Sequence, residues 1–251
     1  MDRDLNAFSN ADAWRVAALS VMGERELHTL FSSGDATPWV IAAANGGLAE
    51  AQTRLGRMLL SAEGMTKDEI AAFHWFRRAA ASGNAEAHNM LGRCLENGWG
   101  IARDPVEAAR HYALAAQAGN AWAQYNLGHL YLDGVGIGRD PAIAFGWYSR
   151  AAAQGHARAM NLIGRCHEEG WGTRQDAALA RPSYRKSAEG GYFRGAYNYA
   201  TILVKDGCFM GAAIWFRKAL ATATEPTRST MLATLASSPH LKLPGFANKS
   251  H

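Results

Sequence analysis

The sequence predicts an all-α fold: a right-handed α/α superhelical solenoid of 36-residue helix–turn–helix repeats with capping helices. Three observations predict it. GRCLENGWG at 92–100 returns as GRCHEEGWG at 164–172, and half of that 72-residue spacing collects glycines into columns. These are Gly56, Gly92, Gly128 and Gly164; Gly64, Gly100, Gly136 and Gly172; and Gly83, Gly119, Gly155 and Gly191. The same register holds aspartates (Asp68, Asp104, Asp140, Asp176), aromatics (Phe76, Tyr112, Tyr148, Tyr184) and the aliphatic residues before the first glycines (Leu55, Leu91, Leu127, Ile163).

Each unit spells a helix pair. AEAHNMLGRCLEN (85–97) is a first helix with Asn84 as its N-cap, ending at Gly98, where a left-handed residue costs glycine little. The turn GWGIARD then reaches Asp104-Pro105, a cap followed by proline in the first helical position, and Asp140-Pro141 repeats it. In the second helix Ala108, Tyr112, Ala115 and Ala116 share a stripe, small residues that admit a close neighbour. Two irregularities stand out. Ala62 replaces the first turn glycine of the first unit. Pro182 lies inside the fourth unit's second helix, beside Ser183 in the tryptophan column, so a kink or a delayed start is expected around 175–186.

Residues 121–156 resemble the Sel-one-like repeat, a relative of the tetratricopeptide repeat. The match rests on Ala121, Ala123, Tyr125, Leu127, Gly128, Tyr131, Gly134, Gly136, Asp140, Trp147, Tyr148, Ala151, Ala152 and Gly155. Residues 1–36 are expected to form N-terminal capping helices or a degenerate first unit, with a bend near Gly23. The solenoid is expected over 37–221, as units 49–84, 85–120, 121–156, 157–192 and a shortened 193–221. A capping helix at 222–236 and a flexible tail at 237–251 complete the chain. The resemblance implies a non-enzymatic scaffold or adaptor assisting complex assembly or signalling.

Composition narrows the classes. A net charge of +4 with both signs mixed lacks the clustered basic face of a nucleic-acid binder. MDRDLNAFSN has neither the basic stub nor the apolar run of a signal peptide, and no stretch is apolar enough to span a bilayer. A cytoplasmic protein with no nucleic-acid or membrane partner is expected, and its alanine- and arginine-rich style looks bacterial. Cys94 and Cys166 share a column with Met58 and Leu130, which reads as packing. Positions two units apart lie roughly 20 Å from each other, too far for a disulfide or shared metal ligation. His167 beside Cys166 lacks the i, i+4 spacing of helical metal ligands. No metal, cofactor or catalytic residue is expected. Trp99 and Trp171, in the interhelix turns, either pack over the adjacent turn or present an aromatic edge to a partner.

Function is expected in the columns that vary along the first helices. Positions 2, 5 and 9 of each unit share a helical face. On them Trp122, Tyr125 and His129 form an aromatic centre, with Arg57, Arg93 and Arg165, the asparagines Asn89 and Asn161, and Tyr197 around it. Tryptophan, tyrosine and arginine dominate interface hot spots, so this concave face is the expected site for a peptide or protein partner. The arginines could instead only pair with Glu96, Glu168 or Glu169. Two other readings remain: a hydrolase using His129 as base with Asp133 orienting it, and a module that self-assembles through its terminal units.

Overall fold

The structure is a computed structural model and describes residues 10–21, 25 and 36–237. The expected bend near Gly23 and the tail from Ser238 onward lie outside the described residues. The described residues contain helices and no strand. In chain order these are α1 (Asn10–Val21), α2 (Ala36–Asn45), α3 (Ala49–Ser61), α4 (Glu69–Ala80), α5 (Ala85–Asn97), α6 (Pro105–Gln117) and α7 (Ala121–Asp133). They continue as α8 (Pro141–Ala153), α9 (Ala157–Glu169), α10 (Ala177–Glu189), α11 (Phe193–Lys205), α12 (Phe209–Thr222) and α13 (Glu225–Ser237). They divide between two compact units, Met1–Ala123 with Val135–Ile137, and Gln124–Gly134 with Gly138–His251.

The four helix pairs from α3 to α10 turn from first helix to second with the same chemistry. Asp68, Asp104, Asp140 and Asp176 are extended, with φ of −145°, −141°, −147° and −155°, and their carboxylates accept the first-turn N–H groups of the second helices. Their own N–H groups reach back to the first helix, onto the carbonyls of Leu59, Leu95, Tyr131 and His167 at 2.7–3.0 Å. A side chain from the turn caps the other end: Arg103 Nε donates to Glu96 O at 2.8 Å, Arg139 Nε to Leu132 O at 3.0 Å and Gln175 Nε2 to Glu168 O at 2.8 Å.

The repeated glycines have two distinct steric tasks. A Cβ at Gly56, Gly92, Gly128 or Gly164 would lie 2.5–2.6 Å from a ring carbon of Phe76, Tyr112, Tyr148 or Tyr184, so the glycine lets the ring of the second helix lie on the backbone of the first. All four rings are buried. In the turns, a Cβ at Gly100, Gly136 or Gly172 would overlap the backbone of Glu69, Pro105 or Pro141, at the start of the preceding pair's second helix. The first contact closes a pair; the second seats it on its neighbour.

The hydroxyls in the aromatic column are treated unequally. Tyr112 OH donates to Glu96 Oε2 at 2.6 Å and Tyr184 OH to Glu168 Oε2 at 2.5 Å. Phe76 needs no acceptor, and its unit carries Leu60 in the glutamate column. Tyr148 faces the unit with Leu132 there, and its buried oxygen has no hydrogen-bond partner among the described residues.

Three local features differ from, or sharpen, the sequence reading. Pro182 neither breaks nor delays its helix: α10 is continuous from Ala177, capped by Asp176 in register with α6 and α8. Pro182 and Ala178 are both exposed, so the carbonyl deprived of an N–H is on the wet side. Ala62 is held in the left-handed region, with φ 58°, where the other turns place glycine. Only Asp206, Gly207 and Cys208 join α11 to α12, whereas residues 98–104 join α5 to α6.

Two predictions follow from these contacts. Gly92→Ala forces Tyr112 away and is expected to lower unfolding stability by about 1–3 kcal/mol. Gly146→Ala, on α8 with nothing within 4 Å of the added carbon, is expected to raise it by about 0.5–1 kcal/mol; urea unfolding of both variants checks the contrast. The second concerns His156, whose Nδ1 accepts Ala159 N–H at 3.2 Å as the cap of α9. Burial, aided by Arg158, lowers its pKa from 6.5 to about 4. Because the folded value lies below the unfolded one, its contribution is complete above pH 6.5 and falls away as pH drops towards 4. His156→Asn keeps a capping oxygen without the titration, so its stability is expected to fall less steeply than wild type across that window.

Candidate functional site

Arg93 follows Gly92 on α5, and a step of about 100° along the helix turns it outward while the glycine faces Tyr112. At the end of α5, Gly98 takes φ 80° and the N–H groups of Gly98 and Trp99 both return to Cys94 O, at 2.8 and 3.0 Å. This left-handed closure folds Trp99 back over the last helical turn. Its ring there lies 5.0 Å from the Arg93 guanidinium carbon. The second copy of the motif builds the same object: Gly170 at φ 74°, Trp171 N–H on Cys166 O at 3.0 Å, and Arg165 4.5 Å from the Trp171 ring. GRC and GW at this spacing therefore encode an arginine laid on a tryptophan. Such a stack contributes about 0.5–1 kcal/mol at an exposed site.

Neither arginine takes the carboxylate partner that the sequence offered. Glu96 and Glu168 are engaged by Tyr112 and Tyr184. Arg93 donates to Met90 Sδ at 3.7 Å and forms no ion pair among the described residues, and Arg165 forms none either. Arg57 has Glu86 at 3.7 Å, with side chains 53% and 35% exposed, a weak contact in water. Both tryptophans are half-buried and pack against the cores of their own units.

The structure separates the remaining site candidates by position in the unit. Asn89 and Asn161 are buried, at 3% and 4% exposure, where the sequence placed them on an open face. Position 5 is a seam between consecutive first helices: Asn161 Oδ1 accepts Asn198 Nδ2 from α11 at 2.9 Å, and Thr53 in the same column is also buried. Trp122 is exposed at 45%. It belongs to the first unit with Arg57, Asn89 and Arg93; Tyr125, His129, Asn161, Arg165 and Tyr197 belong to the second.

In the second unit Tyr125 is half-buried in an aromatic cluster, with His129 edge-on at 4.6 Å and His156 at 5.0 Å. His129 also meets the Tyr148 ring at 5.6 Å. Tyr197 packs edge-on against Phe216 at 5.3 Å. Asp133 is exposed. Burial pushes the Cys94 and Cys166 thiols up to about 12 and about 11, so neither is poised as a nucleophile. His167 packs edge-on against Phe145 at 5.4 Å. No group of three or more metal-ligating side chains comes together among the described residues. No described helix is long and apolar enough to cross a membrane.

The first unit also holds a cavity of about 680 Å³, which the sequence reading missed. Arg54, Arg57, Lys67, Arg93 and Trp99 line it together with Met58 and Met90. Arg54 sits one turn before Met58 in a column whose other members gave no signal; Lys67 was legible only as part of a turn.

The Sel1 repeat matches residues 49–84, 85–120, 123–156 and 157–192. Among solved structures, a protective antigen of uropathogenic Escherichia coli strains, displaying an SLR fold, is 30% identical with a TM-score of 0.66, over 81% of this chain. The chain spans 44% of that protein's length. A Sel1 repeat protein from Oxalobacter formigenes is 26% identical with a TM-score of 0.68, over 84% of this chain and 88% of the other. An immunity protein from Pseudomonas aeruginosa shares the fold alone, at 16% identity and a TM-score of 0.52, over 75% of this chain and 69% of the other. The curated proteins give no match. With four repeats in register over more than half of its length and helix pairs that match the solved solenoids, the chain belongs to the Sel1 repeat family.

Proposed function

We propose that this chain is a non-enzymatic adaptor that binds a peptide or protein partner along its first helices, in the cytoplasm and without a cofactor, to assist complex assembly or signalling. Sel1 repeat proteins are generally protein-interaction scaffolds. The observation that carries the reading is the pair of arginine–tryptophan stacks. Arg93 and Arg165 are exposed, are held against rings, and form no ion pair among the described residues. A stack uses none of the in-plane N–H donors of a guanidinium, which stay available to a partner's carboxylate or carbonyl groups. Holding the side chain in advance also lowers the entropy lost on binding. Exposed Trp122 in the first unit and Tyr125 with His129 in the second supply the aromatic area typical of hot spots. Asn89 and Asn161 then act as spacers between helices, and in each unit positions 2 and 9 make the contact surface.

Affinity capture from native cell extract tests this with wild type and the triple variant Trp122→Ala/Arg93→Ala/Arg165→Ala. The variant is expected to stay folded with wild-type helical content, giving up only about 0.5–1 kcal/mol for each stack, since all three residues are exposed, and to lose a protein that wild type retains. Equal retention by the folded variant contradicts binding along these first helices.

A further inference from the structure

We propose that the cavity between α3, α4 and α5 is a receptor for the acidic side chains of an extended peptide. The proposal rests on the adaptor reading and names the chemistry of the partner for the first unit.

The charge in the cavity is unbalanced. Besides Arg54, three cations line it, Arg57, Lys67 and Arg93, against two carboxylates, Glu63 and Glu69. Glu69 is already held by Lys67 at 2.7 Å. The carboxylate nearest Arg57 is Glu86 at 3.7 Å, which does not line the cavity and whose exposed pairing yields readily to a competing anion. Arg93 contributes a full charge with no ion pair among the described residues. A recess in low-dielectric walls concentrates the field of such an excess and raises the local concentration of an opposite charge.

Size and walls identify the ligand further. At about 680 Å³ the space is far larger than one carboxylate and falls within the range of ligand-binding clefts. Trp99, Met58, Leu60 and Met90 form its apolar surface. Methionines adapt to differing shapes, which suits side chains presented by a peptide. The two carboxylates and the thioether and indole walls oppose a phosphate backbone, which needs an uninterrupted basic track. The geometry thus favours an acidic peptide over a nucleic acid.

Isothermal titration calorimetry of the full chain tests this with a hexaglutamate peptide blocked at both ends, and with oligothymidylate of equal charge. Hexaglutamate is expected to bind with one-to-one stoichiometry and to weaken as salt is raised. Arg57→Glu/Arg93→Glu is expected to weaken it by about tenfold or more, and Arg57→Gln/Arg93→Gln, which leaves Glu86 without a new repulsion, by a smaller factor in the same direction. Arg217→Glu, exposed on α12 in the other unit, is expected to leave the affinity unchanged. All variants are to keep the wild-type helical content. No hexaglutamate binding by wild type, an equal loss in Arg217→Glu, or tighter binding of oligothymidylate through Arg57 and Arg93 overturns the proposal. If hexaglutamate fails while the triple variant still loses a captured protein, the acidic-peptide receptor is wrong and the adaptor reading stands; if hexaglutamate binds as expected while capture is equal, the reverse holds.

Discussion

The contact on which the rest of this structure depends is an aromatic ring lying on the bare Cα of a helical glycine. It occurs four times, from Gly56 with Phe76 to Gly164 with Tyr184, and brings the two helices of each pair within the reach of ring on backbone. Glycine inside a helix is unfavourable by about 0.5–1 kcal/mol relative to alanine. Here that loss is offset by burying a large ring completely. Once the pair is closed, the aspartate-capped second helix begins at a fixed place, and the turn glycines can meet the backbone of the preceding pair.

The same contact organises the candidate binding surface. A glycine turned inward leaves its successor turned outward, so Arg57, Arg93 and Arg165 emerge at equivalent places on their own first helices, α3, α5 and α9. The ring that closes the pair also takes the nearby glutamate out of play, because Glu96 and Glu168 accept the tyrosine hydroxyls. Burial and these carboxylates raise the pKa of Tyr112 and Tyr184, holding both as neutral donors. Arg93 and Arg165 are thereby left without these acids and meet the turn tryptophan. Structural packing and surface chemistry are linked through one hydroxyl.

Much of this was legible in the sequence. The glycine, aspartate and aromatic columns specify the pairs, since each residue type answers a local steric or capping need that recurs with the period. The fate of Asn89 and Asn161 was not legible, because helical periodicity places position 5 on the same face as positions 2 and 9. Whether that face is wet or closed by the next first helix depends on stacking between pairs, as the Asn161–Asn198 bond shows. Pro182 misled for the opposite reason: its missing donor matters little on an exposed side of α10. The Arg–Trp stacks were hidden because their two residues belong to different local elements, a helix and the turn after it, joined only by a left-handed glycine. Nothing in one column of the alignment of repeats reveals a contact between two columns.

The measurement that tests the central claim most directly is a double-mutant cycle across one glycine–ring contact. The free energy change of the alanine substitution at Gly92 would be measured by urea unfolding in wild type and in a Tyr112→Ala background, with an excluded osmolyte present so that every variant folds. If the ring is what demands the glycine, the destabilisation nearly vanishes, or becomes a gain of about 0.5–1 kcal/mol, once the ring is gone. An equal destabilisation in both backgrounds would contradict the account and place the glycine's role elsewhere in the helix.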